Sequence, residues 1–145
     1  SRIDDLLSPN NLKRLNGIHI FSLGKLLARY HCSHMAEVHI SKSVQKCATL
    51  GGMTCLEQLS RLVATYICSL RGIMIGEEKN HDITDDRITG FEKRISSELD
   101  SAIANLGDED QKKDKARMQS FLNVVLSAAA YLCSPCKMGS MNATP

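Results

Sequence analysis

The chain has 145 residues, 43% apolar and 23% charged, and 18 Lys and Arg against 16 Asp and Glu give a net charge of +2. That length suits a single hydrophobic core and leaves no room for a second. With no Trp, three Tyr, three Phe and three Pro, the aromatic and β-branched alternation that strands need is missing, which excludes most all-β folds.

Helix boundaries are legible from the N-terminus onward. Ser8-Pro9 sets a capping hydroxyl before a proline at the first helical position, Leu12 and Leu15 follow at helical spacing, and Gly17 is expected to stop that short helix. Ile20, Leu23, Leu27, Tyr30, His34 and Val38 then share one helical face, with Lys25 and Arg29 roughly opposite. This helix is predicted to end near His39, with a restart at Ser41 or Ser43 that carries Ile40, Val44 and Cys47 to the break at Gly51-Gly52; one bent helix and two separate ones are both compatible with the spacing. Thr54-Cys55-Leu56-Glu57 has the form of a capping box and is expected to start the central helix, whose stripe is Leu59, Leu62, Val63, Tyr66, Ile67 and Leu70. Residues 71–83 read as its fraying end and a loop.

Thr84, Asp85 and Asp86 open the next helix, with Ile88, Phe91, Ile95, Leu99, Ala102, Ile103 and Leu106 on its buried face and Gly107 at its end. Asp108 caps the last helix, whose predicted core residues are Met118, Phe121, Leu122, Val125, Leu126, Ala129 and Leu132, and Pro135 terminates it. The prediction is an all-α fold: a single-domain bundle of four to six helices with short loops over residues 1–137, and a flexible tail over 138–145.

No membrane span is expected, because the longest near-apolar stretch, 121–133, is shorter than a bilayer crossing and is interrupted by Asn123 and Ser127. The first residues lack the basic and then apolar order of a signal peptide. Six cysteines, Cys32, Cys47, Cys55, Cys68, Cys133 and Cys136, would suggest bridges in a small secreted protein. Half of them fall inside periodic helices as small buried hydrophobes do, and the core is large enough to need no staple, so free thiols in a cytoplasmic or other reducing compartment are expected. Asn142-Ala143-Thr144 matches a glycosylation sequon, a short pattern that recurs by chance.

Three constellations are candidates for chemistry. His31 and His34 are helical neighbours, and Cys133 and Cys136 form a CxxC; if the first long helix packs on the last, the four compose a zinc site. The plainer reading, neutral hydrogen-bonded histidines and a CxxC without a second pair, is preferred, so no cofactor is expected. Lys13, Arg14, Lys25, Arg29, Lys42, Lys46, Arg61 and Arg71 form a basic set in which Lys25/Arg29 and Lys42/Lys46 sit one turn apart and can straddle phosphates. Residues 1–75 hold nine Lys and Arg against four acids, and residues 76–145 hold nine against twelve, so the halves carry +5 and −3 and one copy's basic half can meet another's acidic half.

Catalytic signatures are missing: there is no nucleophile elbow, no P-loop, no dinucleotide fingerprint and no ExxH for a carboxylate metal centre. The reading is a non-enzymatic helical interaction module that self-associates or docks a protein partner. One alternative is an RNA-binding domain of an assembling ribonucleoprotein that uses the basic set. A second alternative is a secreted, disulfide-linked helical bundle.

Overall fold

The computed structural model describes residues 2–30, 33–75 and 85–132, with side chains for 2–29, 34–72 and 86–124. The tail 138–145, His31, Cys133, Cys136, Thr84, Pro135 and the sequon lie outside the described residues. Those that are described form helices α1 (Arg2–Leu6), α2 (Pro9–Arg14), α3 (Gly17–Tyr30), α4 (Ser33–Lys46), α5 (Gly52–Ile75), α6 (Asp85–Ala104) and α7 (Glu109–Leu132), with a π-helical segment, Cys47–Gly51, between α4 and α5. No strand occurs among them, and the long helices pack together as the all-α bundle expected from the periodicity.

The centre of the bundle is α5, because its apolar stripe is the widest. Leu59, Leu62, Val63, Tyr66, Ile67 and Leu70 are all buried, and the helix packs extensively against both α3 and α7. α4 packs on α6, and α6 on α7. Tyr66 meets Phe91 edge to face at 5.7 Å between ring centres, tying α5 to α6 with the quadrupole geometry aromatic pairs favour.

The N-terminal hairpin is held by polar groups. Ser8 Oγ caps α2 by accepting from the Asn11 N–H at 3.3 Å, as the Ser-Pro pair implies. Ser43 Oγ donates to the Leu7 carbonyl at 2.7 Å, His39 Nδ1 lies 2.6 Å from Asp4 Oδ1, and Gln58 donates to the Leu15 carbonyl. These bonds satisfy backbone and side-chain groups of α1 and α2 that the seam with α4 and α5 would otherwise strand.

Several boundaries differ from the sequence reading. Gly17 starts α3 instead of stopping α2: Asn16 Oδ1 accepts from the His19 N–H at 2.9 Å and supplies the N-cap. α3 ends at Tyr30 and α4 runs unbroken through His39 and Ser41 to Lys46. The phase of the α3 stripe therefore does not carry into α4, whose buried positions are Ala36, Glu37, Ile40, Ser43 and Val44, and His34 is exposed. α5 begins at Gly52, so Thr54 lies inside it and makes no capping box; the turn is made instead by Gly52, whose φ of 74° is the one positive value among the described residues. Asp108 does cap α7, accepting from the Asp110 N–H at 2.9 Å. On α7, Met118 and Leu122 are buried as predicted, but Phe121 is 41% exposed and Lys115 is buried.

The thiols depart from expectation as well. Cys47 and Cys55, both buried, are joined in a disulfide across the π-helical segment. Cys68 on α5 is likewise disulfide-bonded, which leaves no free thiol among the three described cysteines. Burial at helical spacing suits a free cysteine and a bridged one equally, and spacing alone cannot separate them.

Candidate interaction surface

The exposed side of α3 combines large apolar side chains with cations. Ile18 is 75% exposed, Phe21 44% and Leu26 49%, and Lys25 and Arg29 are exposed among them. No Asp or Glu occurs between Asp5 and Glu37, so every Lys or Arg on this side stands without an acid from its own helix. The face exists because α3 turns its other side to α5. Ile20, Leu23, Gly24 and Leu27 are buried there, and Gly24 allows close approach: a Cβ at that position would lie 2.9 Å from both the Leu62 carbonyl oxygen and Thr65 Cβ.

A second apolar exposure lies on α7, where Phe121 is 41% and Val124 67% exposed. Asp110 and Asp114 are exposed on the same helix. Asp114 Oδ1 lies 3.9 Å from Arg117 Nη1 in a pair open to solvent on both sides, an arrangement that contributes little. Leu50 in the π-helical segment and Met53 in the first turn of α5 are exposed as well.

The basic set is spread over four helices. Lys13 and Arg14 are exposed at the end of α2, Lys25 and Arg29 on α3, and Lys42 and Lys46 on α4. Arg61 is engaged by Glu57 at 2.5 Å and by Gln58 at 3.0 Å, and Arg71 by Glu92 at 3.3 Å with little exposure. The two straddling pairs stay open to solvent, one on α3 and the other on α4. Of the four zinc-site residues only His34 is described; it is exposed on α4, one turn before Glu37. Among the described residues no group of three or more His, Cys, Asp or Glu is arranged to hold a metal ion, and none of the described helices is long and apolar enough to cross a membrane.

Two carboxylates have perturbed titration. Glu37, in the seam between α4 and α6, is nearly solvent-free and 3.7 Å from Arg87 Nε. Burial pushes its carboxyl above the ordinary 4.5, against the pull of Arg87, Arg94 and His34. Glu92 is shifted up in the same way by burial, opposed by Arg71. Lys115 moves down, chiefly by burial, with Asp114 opposing and Lys13 adding to the shift. All three sit within packing seams, so the shifts follow from assembling the bundle.

Sequence reasoning placed Lys25 and Arg29 but missed Ile18, Phe21 and Leu26. The signal was present: on the helical wheel these three fall outside the stripe of Ile20, Leu23 and Leu27, beside the cations, where a solvated face carries small or polar residues. Compared with known proteins, the chain matches no family model, no curated protein and no solved structure.

Proposed function

We propose that the chain is a non-enzymatic helical assembly module that associates with itself through the outer side of α3, in a bundle braced by disulfides for an oxidising compartment. The observation that carries the reading is the exposure of Ile18, Phe21 and Leu26 together with Lys25 and Arg29 on one acid-free helix. Large exposed apolar side chains interspersed with one sign of charge are unusual for a merely solvated helix face and suit an interaction surface. The oxidised state of Cys47, Cys55 and Cys68 supports the oxidising compartment over the reducing one, since structural disulfides persist where thiols are not held reduced. Counting thiols in denaturant without reductant tests that part: Cys68 needs a partner other than Cys47 and Cys55, so more than two free thiols per chain removes it.

The assembly is tested by sedimentation velocity of the oxidised protein at rising concentration, with absorbance recorded at 260 and 280 nm. Association that weakens when Ile18, Phe21 and Leu26 are all changed to Ser supports the reading, and a monomer at every concentration defeats it. The RNA-binding reading draws support from the open pairs Lys25/Arg29 and Lys42/Lys46, while Arg61 and Arg71 are committed to carboxylates. Co-sedimenting 260 nm absorbance that disappears at high salt moves that reading to first place.

A further inference from the structure

We infer that the surface received by the α3 face is the α7 flank of a second copy, met in an antiparallel register that places Lys25 opposite Asp114 and Arg29 opposite Asp110. The inference rests on the assembly reading above and names its partner surface. On α3 the residues Ile18, Lys25 and Arg29 are separated by steps of seven and then four; on α7, read backwards, Phe121, Asp114 and Asp110 are separated by the same steps. At 100° per residue, seven and eleven positions return to within about 20° of the starting direction, so each trio forms one straight stripe. At about 1.5 Å per residue the charges lie roughly 10 and 16 Å from the apolar end on both helices. All six side chains are exposed. At the three matched positions one stripe reads apolar, cation, cation and the other apolar, acid, acid, with Arg117 between Phe121 and Asp114 on the second, and a single antiparallel alignment satisfies the three positions together.

The neighbours fit the same alignment. Phe21 and Val124 widen the apolar end. Arg117, the cation on the α7 stripe, falls opposite Ser22 and not opposite another cation. Its exposed pairing with Asp114 at 3.9 Å is weak enough to be exchanged. Within one chain the extensive packing of α3 and of α7 is with α5, and no comparable seam joins the two helices among the described residues. The contact therefore joins different patches of two copies: made reciprocally, α3 to α7 and α7 to α3, it closes a two-fold dimer, and made head to tail it generates a ring or an open chain. A seam of two short stripes is small beside a standard interface, so association on the order of 10–100 μM is expected, weakening with salt.

Charge exchange tests the register. The double variant Lys25→Glu/Arg29→Glu places acids on both stripes, and Asp110→Lys/Asp114→Lys places cations on both. Each alone is expected to sediment as a monomer at concentrations where the unaltered chain associates, and an equimolar mixture is expected to associate again, because each altered stripe then meets its complement. Circular dichroism of each variant confirms the helical fold, which these exposed positions leave intact. If the unaltered chain associates but either variant alone does so equally, or the mixture stays monomeric, the register is overturned while the assembly reading stands. If the unaltered chain is a monomer up to about 1 mM, far above the range expected for so small a seam, both fall.

Discussion

Along the seam of α3 with α5 the backbones approach at Gly24, and the contact is made by Ile20, Leu23, Leu27 and Leu62, all buried. Between α4 and α6 the contact instead includes Glu37 with Arg87 and Gln45 with Glu98, and α5 meets α6 through Arg71 and Glu92 as well as Tyr66 and Phe91. Both seams belong to one core, yet they respond to different variables. The first depends on shape, because close packing loses contacts when a methyl group is gained or removed. The second depends on charge as well, because each buried carboxylate must be stabilised against its desolvation.

The largest effect is expected where shape alone is at stake. Leu62→Ala removes a solvent-free side chain from the middle of α5 and is expected to cost about 3–4 kcal/mol in denaturant unfolding. Gly24→Ala tests the same seam from the other side. Its added methyl meets the Leu62 carbonyl and Thr65 Cβ at 2.9 Å, so a loss of about 1–2 kcal/mol is expected although alanine favours helices. A stabilised Gly24→Ala protein would mean that α3 and α5 lie further apart than the structure has them.

The disulfide links the two regions, since Cys47 follows α4 and Cys55 opens α5. Closing so short a loop is worth about 2–3 kcal/mol on the chain-entropy account, and the Cys47→Ala/Cys55→Ala protein is expected to lose about that much. Gly51 sharpens the point: a Cβ there would lie 2.7 Å from Cys55 Sγ, so the bridge and the glycine belong to one close-packed turn. An unchanged unfolding midpoint in the double variant would show that the two seams hold together without the bridge.

The difference between the seams also explains which parts of the molecule were readable beforehand. The stripes of α5 and α6 were legible because spacings of three and four among Leu, Ile, Val and Phe have a single solution, a buried helical face. Gly17 and Thr54 misled because local signals for capping are satisfied in more than one frame: Asn16 took the cap of α3, and the bridged π-helical segment moved the start of α5 back to Gly52. His34 and Phe121 misled because burial there depends on how one helix is phased against another, which single-helix periodicity does not contain. The candidate surface was half legible for the same reason. Its cations stood out by type, whereas Ile18, Phe21 and Leu26 are marked only by their wheel positions outside the stripe of Ile20, Leu23 and Leu27, a signal that single residues do not carry.

The smallest effect is the most specific to the charged seam. Burial raises the carboxyls of Glu37 and Glu92 above 4.5 in the fold, so below that pH both are protonated in the folded and unfolded chain and cost nothing. As pH rises past 4.5 the unfolded chain releases these protons while the fold retains them. The contribution of the two groups to stability therefore falls with rising pH until their folded values are passed. Glu37→Gln keeps the shape and an acceptor for Arg87 while removing the ionisation. It is expected to change stability by less than about 1 kcal/mol at pH 7 and to reduce the decline measured between pH 4.5 and 7, with Glu92→Gln removing the remainder. If the decline keeps its full slope in the double variant, other groups set the pH response, and the charged seam behaves like the apolar one.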